Sequence, residues 1–252
     1  NAMYFNDVHV MIYVAFGVVG LLIGNILPHI NKRLIDHKKV ITKDFFKNYV
    51  KDFKPHYIHM LLMAIIYMAL VYKFGLHPTF IQNLELIKYC LLAPMLLSVA
   101  YIDYKEKIIP NRLVLTMAEV GMLLTFIFGL SDINLAMDML LGMITGTVIF
   151  GILTLLGRMV SGKDSMGMGD VKLMAALGLF FGSSNILVVS IMSFLIGAII
   201  SIILILSKRR KINEYIPFGP FIVIASFVSI FVPFSTILYV LLKIFTLGMY
   251  KV

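Results

Sequence analysis

Apolar runs, most of them near the length of a bilayer crossing, recur along the whole 252-residue chain, separated by short blocks of charge. A helix rises 1.5 Å per residue and the hydrocarbon core is about 30 Å thick, so about 20 apolar residues suffice to span it. The runs cover residues 8–30, 57–76, 86–102, 113–130, 136–160 and 186–206, with a shorter one at 171–181. A last apolar stretch, 216–249, is broken by Pro233 and reads as two elements. Backbone groups in lipid have to be satisfied within their own segment, so the runs are helices. The expectation is an all-α, polytopic transmembrane protein of about eight segments, nine at most. Composition agrees: 60% of residues are hydrophobic and 14% charged, with mean hydropathy +0.97, far from a soluble mix.

Net charge is +9, yet no soluble domain remains to present a basic face, so nucleic acid is not an expected partner. Positive loops have a membrane explanation instead. The loop at 31–56 holds Lys32, Arg33, Lys38, Lys39, Lys43, Lys47, Lys51 and Lys54 against Asp36, Asp44 and Asp52. Lys105, Lys107 and Arg112 lie in a second connection, Arg158, Lys163 and Lys172 around a third, and Lys208, Arg209, Arg210 and Lys211 in a fourth. These four regions, alternating along the chain, carry 18 of the 22 Lys and Arg residues, which places them on the cytoplasmic side of a cell membrane. No internal repeat is visible, and residues 1–252 read as one membrane-embedded domain. Within the first loop, residues 43–53 interleave Phe45, Phe46, Tyr49, Val50 and Phe53 with lysines, as an interfacial anchor would. Gly17, Gly20 and Gly24 share a face of the first run and suit close helix packing.

Cys90 is the single cysteine, so no intramolecular disulfide and no cysteine-rich zinc site can form. His56 and His59 have HxxH spacing, but without further ligands they read as interfacial histidines at a helix start. No metal site is expected.

Two acids stand out. Asp103 closes the run 91–102 and precedes the polar turn Tyr104-Lys105-Glu106-Lys107-Ile108-Ile109-Pro110-Asn111. Asp170 follows Gly167-Met168-Gly169 where another apolar run begins. Carboxylates at membrane depth are costly and mark functional sites by default. Two of them close together share a proton and titrate as a pair. The ionised partner can then take a proton from water attacking a peptide carbonyl while the protonated one stabilises the oxyanion. No GxSxG, HExxH or Cys/His nucleophile pattern competes. On spacing alone, a solvated Asp170 capping the next helix stands beside this reading on equal terms.

The residues also carry a resemblance. Gly162-Lys163-Asp164-Ser165-Met166-Gly167-Met168-Gly169-Asp170-Val171-Lys172-Leu173 resembles the GxGD signature of type IV prepilin peptidases, and Asp103 through Arg112 resembles their first-aspartate segment. Gly20 through Asn25, with Arg33-Leu34, is similar to the N-terminal motif, and Ile216-Pro217-Phe218-Gly219-Pro220-Phe221 to a late IPFGP-like stretch. The resemblance implies a membrane aspartic endopeptidase that removes the basic leader of type IV prepilins or pseudopilins at the cytoplasmic face. Asp103 and Asp170 would be the catalytic pair. Gly167, Gly169, Pro217, Gly219 and Pro220 would shape the site, and Lys172 and Asp164 would contact the leader or support the acids. Proteolysis of this kind needs no cofactor. Bifunctional members also methylate the new N-terminus with S-adenosylmethionine and carry paired CxxC motifs in the first cytoplasmic loop. Residues 31–56 contain no cysteine, which puts methylation in question and leaves proteolysis untouched.

Two rival readings use the same acids: a presenilin-like protease cutting inside a transmembrane helix, whose PAL motif is missing here, and a proton-coupled transporter with the aspartates as relay. Labelled-cysteine accessibility at positions 103 and 170 separates them. Leader cleavage predicts labelling from the cytoplasmic side, whereas midplane burial of both positions would favour the rivals.

Overall fold

A computed structural model describes residues 4–6, 8–36, 38, 42, 45, 49, 54–161, 167–207 and 216–246. Asp164 and most of residues 43–53 lie outside the described residues. Eight helices are described: α1 (Val10–Ile35), α2 (Tyr57–Phe74), α3 (Leu84–Glu106), α4 (Asn111–Ser131), α5 (Ile133–Ser161), α6 (Met168–Leu206), α7 (Gly219–Phe231) and α8 (Phe234–Phe245). A two-residue antiparallel ladder, β1 (Tyr4–Phe5) with β2 (Val8–His9), precedes them. Six helical segments are long and apolar enough to cross a bilayer, and α7 and α8 are shorter. The chain is an all-α polytopic membrane protein.

Helix boundaries overrun the apolar runs. α3 continues through Asp103 to Glu106, because Tyr104, Lys105 and Glu106 keep the helical hydrogen bonding while facing water. Lys107, at φ 57, takes the left-handed conformation just past the helix end. Pro233 caps α8 from outside, so the tail forms two helices.

Contacts resolve two compact units, Asn1–Glu106 with Pro110–Leu113, and Lys107–Ile109 with Val114–Val252. In the first, α1 packs along α2 through the expected glycine face. A Cβ at Gly20 would fall 2.7 Å from the Ala64 Cα, and one at Gly24 2.7 Å from the Met60 Cα. Below that crossing, Asn25 holds both flanks of the basic loop. Its Nδ2 donates to the Tyr49 hydroxyl at 2.7 Å and its Oδ1 accepts from the His56 backbone N–H at 3.0 Å. Phe45 is buried and stacks on Tyr49, with the Arg33 guanidinium 5.2 Å from its ring centroid. These two aromatic residues of the proposed anchor thus pack onto their own unit.

In the second unit α5 and α6 pack most extensively. α6 is broken at Gly182, whose φ 73 and ψ 176 are open in practice only to glycine. Neighbours on α5 show that the chain doubles back there. Approaching the break, Met174 lies over Gly146, Gly178 over Gly142 and Gly182 over Asp138. Beyond it the order reverses: Ser183 meets Asp138, Ile186 meets Gly146 and Phe194 meets Phe150. α6 is therefore a hairpin, its first arm Met168–Phe181 about 21 Å long and its second Ser183–Leu206 about 36 Å. The sequence expectation of a short sixth segment, a turn at 182–185 and a seventh segment describes this hairpin.

The seam between α5 and the first arm is backbone against backbone. A Cβ on Gly142 would lie 2.7 Å from the Gly182 carbonyl carbon, and one on Gly178 2.5 Å from the Met143 nitrogen. Gly151, on the same helix, has nothing within 4 Å of such a Cβ. Gly142→Ala is expected to destabilise the protein by about 1–3 kcal/mol through forced separation of the helices, while Gly151→Ala is neutral or mildly stabilising. Thermal unfolding in detergent checks the contrast.

Candidate active site

Asp170 is placed by the start of α6. Gly167, extended at φ −70 and ψ 141, is the N-cap residue, and its carbonyl accepts from the Asp170 N–H at 3.0 Å. An acid in this first turn is favoured by the helix dipole. The side chain is nonetheless folded inward and only 3% exposed. Its Oδ2 lies beside Gly167, where a Cβ would sit 3.4 Å away. Gly169 serves a different contact. Its bare Cα admits Ile109, whose Cβ lies 3.2 Å from where a Cβ on Gly169 would stand. The connection that follows α3 is thereby held against the glycine-rich turn.

The depth of Asp170 follows from the hairpin register. Steps along α5 from Asp138 to Gly142 to Gly146 are matched by steps back along α6 from Gly182 to Gly178 to Met174. One further step, 146 to 150 against 174 to 170, sets Asp170 level with Phe150. The next charge on α5 is Arg158, eight residues on, or about 12 Å. By this measure the carboxylate lies alongside the apolar stretch of α5.

Asp103 occupies the last turn of α3 and is 2% exposed, whereas Tyr104, Lys105 and Glu106 are exposed. Each acid is thus buried near a helix terminus. Burial of ionised carboxylates is expensive, so both positions are chemically singular.

Of the other residues that the sequence singles out, Lys172 is exposed and lies about 200° around the helix from Asp170, which turns it away from the buried carboxylate. Pro217 and Gly219 are buried and Pro220 half-buried at the start of α7, with proline in the first turn as helix starts permit. Their neighbour Phe218 joins Phe150 and Phe194 in an aromatic cluster, with ring centroids 6.1 and 5.0 Å away. That contact holds the proline-glycine stretch against α5 and the second arm of α6. His56 begins α2 and His59 lies in its first turn, with the His59 ring against Tyr101 at 5.5 Å. Among the described residues no group of three or more His, Cys, Asp or Glu could hold a metal.

One acid is not among those the sequence singles out. Asp138, within the apolar run of α5, accepts hydrogen bonds through Oδ1 from the Ser183 hydroxyl and from the Ser183 N–H, the latter at 3.1 Å. An ionisable residue inside a span was the signal that could have found it.

These features define a polytopic helical membrane protein that keeps two carboxylates buried near helix ends. Residues 90–202, which include both acids, match the type IV leader peptidase family. Three relatives are each named prepilin leader peptidase/N-methyltransferase. That of Xanthomonas campestris is 34% identical over 174 residues, 68% of this chain and 56% of the relative. The Aeromonas salmonicida protein is 32% identical over 140 residues, 56% and 47%. The Pseudomonas aeruginosa protein is 32% identical over 136 residues, 54% and 46%. The chain spans about half the length of the curated relatives it matches. No solved structure matches it.

The Ile109–Gly169 contact is testable by a double-mutant cycle. Gly169→Val is expected to cost about 1–3 kcal/mol of stability by overpacking, and Ile109→Ala to recover part of that loss when combined with it. Effects that simply add would contradict the contact.

Proposed function

We propose that the chain is a membrane aspartic endopeptidase that removes the basic leader of type IV prepilins or pseudopilins at the cytoplasmic membrane face. The observation that carries this reading is the burial of Asp103 and Asp170, at 2% and 3% exposure, inside the region that matches the leader peptidase family. In this reading the two acids act as a pair, one ionised and one protonated. The carboxylate takes a proton from water as the water oxygen attacks the peptide carbonyl carbon. The carboxylic acid donates a hydrogen bond to the developing oxyanion and then supplies a proton to the leaving amine.

Gly167 leaves the space beside the Asp170 Oδ2 without a side chain, which suits the approach of an extended backbone, and Gly169 shapes the site through its contact with Ile109. Asp164, Pro217, Gly219 and Pro220 belong to the proposed surroundings of the acids. Lys172, facing away from Asp170, suits a lipid headgroup or a distal part of the substrate better than the scissile bond. The cytoplasmic placement of both acids rests on the distribution of basic residues. The relatives' names include N-methyltransferase; we assign hydrolysis alone to this chain, and S-adenosylmethionine enters only if methylation is retained.

The test is cleavage, in detergent, of a substrate with a basic leader, Gly-Phe and an apolar helix. Wild type is expected to cut after the glycine, and Asp103→Asn and Asp170→Asn, each verified as folded, to lose at least about a hundredfold in rate. Variants that cut as well as wild type would remove the acids from the chemistry.

A further inference from the structure

Between its two arms the α6 hairpin has to solve a problem set by its surroundings. Breaking a helix frees backbone donors and acceptors, and in an apolar environment each one left unsatisfied is costly. Side chains close the turn instead. Asn185 donates from Nδ2 to the Phe181 carbonyl at 3.1 Å, satisfying the end of the first arm. The start of the second arm is capped from another helix, by the Asp138 carboxylate on the N–H and hydroxyl of Ser183. A carboxylate at a helix N-terminus also meets the positive end of the dipole. Gly182 completes the arrangement, since a Cβ there would collide with the Asp138 carboxylate as well as being strained at φ 73.

The same contact fixes where the first arm stands along α5. That arm touches α5 through bare backbone at Gly142, Gly146 and Gly178, contacts that lack the direction of a hydrogen bond. Asp138 is the polar, directional contact on the seam, and it lies at the turn. At the other end of the same arm, about 18 Å away along the helix, is Asp170.

We propose that Asp138 is a positioning residue, which by capping Ser183 across the hairpin sets the register of the first arm of α6 and so the place of Asp170 in the active site. The inference rests on the peptidase reading for its consequence in activity and on the hairpin alone for its consequence in structure. What the cap requires is a hydrogen-bond acceptor at the 138 carboxyl position, which an asparagine side chain also supplies.

Two measurements on the full chain test it. In the first, steady-state cleavage of a prepilin-type substrate is compared for wild type, Asp138→Asn and Asp138→Ala. Asp138→Ala is expected to lose at least about tenfold in kcat with KM nearly unchanged, because misplacing a reacting group by an ångström is costly. Asp138→Asn is expected to stay within about threefold of wild type, since the acceptor is kept. In the second, spin labels at two exposed positions, Met159→Cys on α5 and Met168→Cys at the start of α6, in a Cys90→Ser background, report the distance between the elements. Asp138→Ala is expected to shift or broaden the distribution, and Asp138→Asn to leave it as in wild type. An alanine variant with wild-type kcat, an asparagine variant as impaired as alanine, or an unchanged distribution in the alanine variant would each overturn the proposal. Should wild type fail to cleave, the peptidase reading falls, while the spin-label distances still decide the role of Asp138.

Discussion

Contact of bare backbone with bare backbone, α5 against the first arm of α6, is the constraint on which the second unit depends. Without hydrophobic gain from leaving water, helices in lipid associate through close packing and polar contacts. Gly142, Gly146 and Gly178 supply the first and Asp138 with Ser183 the second. The arm so held is too short to cross a bilayer by itself, about 21 Å against about 30 Å. Shortness sets its first turn, and Asp170, alongside the middle of α5 rather than at its end.

The first unit solves a related problem differently. Its basic loop returns to the helices through Asn25, which bridges Tyr49 and the start of α2, and through Arg33, which donates to Thr42 at 2.8 Å. The tie from Asn25 ends at the start of α2, close to where His59 meets Tyr101 of α3, two residues before Asp103. Each acid is therefore carried by a helix whose neighbours are fixed by specific contacts. In the proposed reaction such rigidity matters, because a shared proton is useful only while the groups stay aligned.

Much of this was legible in the sequence, and for physical reasons. The spans follow from runs of apolar residues, and the break at Gly182-Ser183-Ser184-Asn185 from residues that interrupt one. Asp103 and Asp170 were visible because acids beside apolar runs are costly and few. The helical extension of α3 beyond Asp103 was hidden, since hydropathy marks where a chain enters water and says little about where helical hydrogen bonding stops. The glycine seam was hidden too: nothing local to Gly167-Met168-Gly169-Asp170 reveals that the following arm packs backbone to backbone on α5. Asp138 looked like one polar residue in a long apolar run, and its partner lies 45 positions away. Long-range pairs of this kind leave no periodic trace.

The central claim is that Asp103 and Asp170 work as one site, and the most direct measurement is the separation of these two positions with substrate bound. Cysteines placed at both positions, in a Cys90→Ser background with a prepilin-type substrate present, can be joined by thiol-specific linkers of graded length. The account predicts efficient joining by the shortest linkers, of about 5 Å, as proton sharing demands. Failure to join with any linker up to about 15 Å, well beyond the reach of such coupling, would contradict it.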